Sequence, residues 1–226
     1  MPLVSVITLS YNKPQYVVDA IESVLNQSCQ DFEYFLIDDG SNEKTRKVLE
    51  LYKNYPNVQF TQLNVSEEER KACYRPAMLL NEYYDKVNGK YLFFLADDDV
   101  LHKDCFKIMS EFLEANSDKH VCYHQQRVIR QYPNGRIEQD NPRDYDILFG
   151  TENQRPNCVI DGGQIMHRVS CLEKIEKPYC DTGWTHSCHA DGVFMDKLTQ
   201  HFIFYPIPRF LSIHRITPLS FNSKTV

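Results

Sequence analysis

The chain has 226 residues, 42% hydrophobic and 25% charged, which is enough apolar content for a buried core and excludes a disordered chain. Its net charge is −6 without a long basic block, which argues against nucleic acid as a partner, because phosphate binding needs a concentrated positive face. No segment approaches the roughly 18 apolar residues of a membrane span, and MPLVSVITLSYNK lacks the basic start of a signal peptide. The expected location is the cytoplasm, with peripheral attachment to a membrane left open. Eight widely spaced cysteines without a CxxC pair read as reduced thiols.

In chain order, LVSVITLS (3–10) is a short β-branched run suited to a buried strand. Asn12 is placed to cap a helix with Pro14 in its first turn, and Val17, Ala20, Ile21, Val24 and Leu25 follow at helical spacing. FEYFLIDDG (32–40) is a second strand, and Ser41 opens a polar helix with Thr45, Val48, Leu49 and Tyr52 inward. NVQFTQL (57–63) is a third strand, SEEERK (66–71) a polar connection, and Ala77, Leu80, Tyr84 and Val87 mark another helix. YLFFLADDDV (91–100) is a fourth strand, and Phe106, Met109, Phe112 and Leu113 lie on the helix beyond it.

This alternation predicts an α/β fold with a mostly parallel central sheet flanked by helices. After residue 120 the pattern changes. The PNG turn within VCYHQQRVIRQYPNGRIEQ predicts an antiparallel excursion. CVIDGGQIMHRVSCLEKI (158–175) reads as strand, Gly-Gly turn, strand and helix, ADGVFMDKL (190–198) as a helix, and HFIFYPIP (201–208) as a last strand. One domain over residues 1–226 is expected, with a nucleotide-binding half (1–100) and a half that shapes a second substrate (101–226).

Asp38 and Asp39 end one strand, and Asp97, Asp98 and Asp99 end another. In an open α/β sheet, ligands bind beyond such strand ends. Most loop aspartates are solvated turn residues or helix caps. Three in a row behind a strand as apolar as YLFFLA differ, because buried like charges need a positive partner. A hard dication supplies one: oxygen ligands select Mg²⁺ or Mn²⁺ over Zn²⁺ and leave positions for phosphate oxygens. The turn TLSYNKPQY contains no glycine, and Gly162-Gly163 precedes no Lys-Ser or Lys-Thr, so neither a dinucleotide turn nor a Walker A loop is present. One remaining possibility is metal-assisted departure of a nucleoside diphosphate from a sugar, which needs a pocket for base and ribose and a general base for the acceptor. Cys180, His186, Cys188 and His189 have zinc-ligand chemistry, but their spacing matches no structural zinc motif.

VSVITLSYNKPQYV, IDDGS, LADDDV, MHRVSCLEKI and ADGVFM together resemble the inverting glycosyltransferases of family 2, which have the GT-A fold. Within that family the similarity is greatest to the spore-coat polysaccharide glycosyltransferases of spore-forming bacteria. The resemblance covers nearly the whole chain. It implies a UDP- or dTDP-sugar donor, Mn²⁺ or Mg²⁺, and a carbohydrate or glycoconjugate acceptor.

It further implies that Thr8 and Tyr11 line the nucleotide pocket, Tyr11 stacking on the base, and that Asp39 accepts from the base N3–H. Arg75 is expected near the nucleotide, Asp97 opens the family's aspartate motif, and Asp98 takes the ribose hydroxyls. Asp99 is the expected metal ligand, with His214 a further candidate whose alternative is a structural role. Asp161, Gly162 and Trp184 fall on the acceptor side, though Trp184 suits core packing equally. Asp191 falls at the catalytic base, against the alternative of a helix cap. A helix N-terminus favours its ionised form and weakens it as a base, so burial or a neighbouring acid must offset that effect.

A sugar-1-phosphate nucleotidyltransferase also uses sheet-edge aspartates and a metal, but that class opens with a glycine-rich loop absent here. A nucleotide-sugar-binding protein without turnover is the third possibility.

Overall fold

The computed structural model describes residues 1–151, 154–176 and 190–220. Trp184 and the segment from Cys180 to His189 lie outside these residues.

The first half is built around β1 (Val4–Ser10). It pairs in parallel with β2 (Phe32–Asp38) on one side and β4 (Tyr91–Phe94) on the other, and β3 (Val58–Gln62) pairs with β2. Successive side chains alternate between the two faces. Val4 and Val6 enter one core layer with Val17 and Ile21 of α1 (Val17–Leu25) and Phe106 of α5 (Cys105–Ala115). Ile7 enters the other with Leu79, Leu80 and Tyr83 of α4 (Arg75–Tyr84). Both faces are covered, which is why these strands read as nearly continuous apolar runs.

Parallel pairing aligns the C-terminal ends of the strands. Ser10 is in register with Asp38, and Ile7 with Phe94, so the loops after β1, β2 and β4 open at one edge. The chain adds β2 and β3 on one side of β1 and β4 on the other, and a cleft at this switch point is the expected ligand site.

The second half extends the same sheet. Beyond β4 come β8 (Ile165–Arg168), β6 (Val121–Gln131), β9 (Phe204–Ile216) and β5 (Val100–Leu101), while β7 (Ile137–Gln139) pairs with β6 through the expected hairpin. The β4–β8, β6–β8 and β5–β9 pairs are antiparallel, and β6–β9 is parallel. Register shifts in β6–β9 between His124 and Gln126 leave Pro208 and Arg209 unpaired. Proline is tolerated at such a bulge. Beyond it β9 continues well past residue 208 and delivers His214 and Arg215 to the sheet edge.

Other local expectations change. Asn12 does not cap a helix. Its backbone is left-handed (φ 56°), its side chain accepts the Asn42 N–H at 2.7 Å, and α1 begins only at Val17. Pro14 disfavours helical geometry at Lys13, which delays the start. SEEERK is not a plain connection but the beginning of α3 (Glu67–Ala72), closed by a Ser66–Glu69 capping box. The polar helix after β2 is α2 (Glu43–Glu50), capped by Asn42. The Gly-Gly turn is a 3₁₀ turn at Gly162–Gln164, with no strand over 158–161 before it, and a 3₁₀ segment at Val169–Lys174 replaces the expected helix. The helix bearing Asp191 is α6 (Ala190–Thr199). Among the described residues, no helix is long and apolar enough to cross a membrane.

Candidate active site

Tyr11, in the loop after β1, is 41% exposed, and the Arg70 guanidinium of α3 lies 3.7 Å from its ring centroid. Asp39 follows β2, anchored by its N–H to the Ser10 carbonyl at 2.9 Å. Its carboxylate receives Arg70 at 3.0 Å and the Arg75 Nε at 2.9 Å. A ring, a carboxylate and two guanidinium groups therefore stand together. Thr8 does not join them. It is fully buried with its hydroxyl toward Tyr34, because strand alternation turns it to the opposite face from Leu9, which lines the cleft instead.

The triplet after β4 sits beside this group. Asp97, Asp98 and Asp99 are 5%, 4% and 1% exposed, and each meets positive charge from the protein itself. The Lys13 ammonium lies 2.8 Å from Asp97 and 2.9 Å from Asp98, while the Tyr11 N–H donates to Asp97 at 3.1 Å. Burial opposes the Lys13 charge, but the two carboxylates outweigh it and hold its pKa above the ordinary lysine value. The Ser220 hydroxyl donates to Asp98 at 2.8 Å. Arg215 donates its Nε to the Asp98 carbonyl, its N–H to Asp99 at 3.0 Å and its Nη1 to Asp19 at 2.6 Å. The triplet is thereby tied to β9 and α1.

Asp99 lies behind the cleft lining, its carboxylate 3.1 Å from the Nδ1 of His214, which lines the cleft. Burial alone would lower the His214 pKa, but Asp99 reverses this and raises it to about 9. Asp99, Asp161 and His214 bring one ligand atom each within 4.8 Å of one another. Two carboxylates and an imidazole fit a hard or borderline dication such as Mn²⁺ or Mg²⁺. Asp161, expected on the acceptor side, thus stands with the metal candidates, and the Arg143 guanidinium lies 3.4 Å from its carboxylate.

Asp191 sits in the first turn of α6. Its carboxylate accepts the Gly162 N–H at 3.2 Å and its neighbour Gly192's N–H at 2.9 Å. Burial and the charge of Asp161 push its pKa above the ordinary carboxylate value, outweighing those N–H groups. The offset that a base at a helix N-terminus requires is present. A Cβ at Gly162 would lie 3.2 Å from the Asp191 Cβ, a tight contact from which Asp191 would have to shift.

Lys13, Asp97, Asp98, Asp161, Asp191 and His214 border one cleft of about 280 Å³, while Tyr11 and Asp39 lie outside its lining, Tyr11 joined to it by the N–H that it donates to Asp97. Lys13, Arg70, Arg143, Arg215 and Ser220 were not singled out from sequence. Only Lys13, two residues beyond Tyr11 in the same turn, offered a local signal.

The model of the family described as "Glycosyl transferase family 2" matches residues 5–175. Protein CgeD of Bacillus subtilis (strain 168) is 30% identical over 223 residues, covering 97% of this chain and 51% of that protein. The putative teichuronic acid biosynthesis glycosyltransferase TuaG of the same organism is 35% identical over 116 residues, covering 51% of this chain and 44% of that protein. The chain spans about half the length of these curated relatives. Among solved structures, S. aureus TarS (residues 1–349) in complex with UDP superposes with a TM-score of 0.69 at 18% identity, covering 96% of this chain and 61% of that one. The fold is the GT-A arrangement expected from the sequence.

Proposed function

The chain belongs to glycosyltransferase family 2, and from that premise we propose that it moves a sugar from a UDP- or dTDP-sugar to an acceptor hydroxyl with inversion at the anomeric carbon. One observation carries this: Tyr11, Asp39, the aspartate triplet and Asp191 converge on a single sheet edge. The UDP in the TarS complex supports a uridine nucleotide, and the name of TuaG supports a role in polysaccharide or glycoconjugate synthesis.

The base stacks on Tyr11 and donates its N3–H to Asp39, near Arg75. Asp98, beside Asp97, takes the ribose hydroxyls. Asp99, His214 and Asp161 would hold Mn²⁺ or Mg²⁺, which neutralises charge on a departing diphosphate. Gly162 lets the acceptor approach closely, and Asp161 borders that side. Asp191 accepts the proton of the acceptor hydroxyl as its oxygen attacks the anomeric carbon from the face opposite the nucleotide. The bond from that carbon to the diphosphate oxygen breaks, and its electron pair leaves on the nucleoside diphosphate. Residues 1–100 form the nucleotide half and 101–226 the acceptor half, and the similarity to the spore-coat branch is part of this proposal.

Product analysis tests it. Incubation with a nucleotide sugar, an acceptor and Mn²⁺ should release free UDP or dTDP and give a product of inverted configuration. Pyrophosphate release would establish a nucleotidyltransferase instead, and nucleotide binding without turnover a binding protein.

A further inference from the structure

The cleft has two chemically different sides. Its lining carries the Asp97, Asp98, Asp161 and Asp191 carboxylates together with Lys13 and Tyr74. One patch of it, called its floor below, is hydrocarbon. Ile7 and Phe94 are register partners on neighbouring parallel strands, so Leu9, two residues beyond Ile7, faces the cleft on the same side as Phe94. Ala77 and Leu80, one turn apart on α4, complete it. None of these four side chains offers a hydrogen-bonding atom. The volume, about 280 Å³, is near the lower end for small-molecule sites, roughly 300 Å³, and suits a single sugar ring.

We propose, building on the donor site assigned above, that this floor selects a donor whose sugar carries an apolar substituent over a fully hydroxylated hexose. The substituent is the methyl of an acetamido group or of a deoxysugar. A hydroxyl pressed onto Leu9, Leu80 and Phe94 gives up its bonds to water without replacement. A methyl group there removes apolar surface from water. Asp98 remains available for the ribose hydroxyls and Asp191 for the acceptor hydroxyl. A difference of this size in an apolar pocket separates substrates by roughly 10–200-fold.

Calorimetry on the full chain with Mn²⁺ tests the selection with two matched pairs. UDP-N-acetylglucosamine against UDP-glucose reads the acetamido group as a whole, and dTDP-6-deoxyglucose against dTDP-glucose reads a methyl against a hydroxymethyl. The substituted member of one pair should bind at least about tenfold tighter. Leu80→Asn should bring that ratio toward one. Leu9→Thr makes a smaller polar change at a partly exposed position of the same floor and should lower the ratio even where the Leu80 variant does not fold. Equal affinities within both pairs, with UDP and dTDP themselves binding, would overturn the selection and leave the nucleotide site standing. Failure of both nucleotides to bind would overturn the two together.

Discussion

The guanidinium of Arg70 lies 3.7 Å from the centroid of the Tyr11 ring. The same cation donates to Asp39 at 3.0 Å, so the ring and the carboxylate expected to read a nucleobase are held by one side chain. Base–aromatic stacking is worth about 1–3 kcal/mol. Tyr11→Ala should therefore weaken UDP binding by roughly tenfold or more, while Tyr11→Phe, which keeps the ring, should stay near wild type. Calorimetric titration with UDP measures both. Wild-type affinity in the alanine variant would remove Tyr11 from the nucleotide site.

Lys13 makes a separate prediction about stability. Its side chain is 17% exposed and meets two aspartates whose side chains are 6% exposed. Removing one partner of a buried pair leaves uncompensated charge, at about 3–5 kcal/mol. Lys13→Met should fall near the low end, about 3 kcal/mol, because the lysine keeps some contact with water. The folded-state pKa of Lys13 is raised, so its contribution is fully present below the ordinary lysine pKa and fades only at higher pH. In the variant, burial keeps the Asp97 pKa above its unfolded value without the opposing lysine. A carboxyl of that kind binds its proton more tightly when folded, so the variant should recover stability as pH falls from 7 toward 5. Melting curves across that range should show the deficit narrowing; a constant deficit would mean that Lys13 acts through packing alone.

The cluster of Asp99, Asp161 and His214 predicts a metal response independent of turnover. Mn²⁺ should raise the melting temperature of the wild-type chain, and a chelator should reverse it. At a hundredfold excess over Kd the gain is about 2.7 kcal/mol. Asp99→Asn should abolish the shift and His214→Ala should reduce it. An unchanged Mn²⁺ response in Asp99→Asn would remove Asp99 from the ligand set.

The strands that place the site were legible because β1, β2 and β4 are buried on both faces and therefore rich in β-branched and aromatic residues, with only small hydroxyls interrupting β1. Asp39 and the triplet follow directly, as polar residues where those runs stop. The cations that meet them were not legible. Lys13 and Asp97 are 84 residues apart, and Arg215 and Asp99 are 116 apart, so no local pattern links them. Arg70 was hidden in a segment whose charge suggested a loop until Ser66 and Glu69 capped it as a helix. Thr8, one step of strand alternation from Leu9, lies buried on the other face of β1. The two prolines near the start of β9 made a long strand look short, and so hid the route that carries His214 to Asp99.

Asp191 combines the sharpest kinetic prediction with a thermodynamic one. Burial and the nearby Asp161 carboxylate raise its pKa, against the N–H groups of Gly162 and Gly192. A general base works only when ionised, so transfer should decline on the acid side through an apparent pKa above the ordinary aspartate value of about 3.9. Asp191→Asn keeps an oxygen for the Gly162 N–H but cannot take a proton. Transfer should fall by roughly 10²–10⁴-fold while UDP affinity stays near wild type. The sign of the stability effect is opposite. A carboxyl whose folded pKa exceeds its unfolded value destabilises the fold once pH rises above the unfolded value. The asparagine variant should therefore melt at or above the wild-type temperature at pH 7, with the difference shrinking toward pH 4. A merely structural helix cap would give the reverse, a less stable variant with transfer intact.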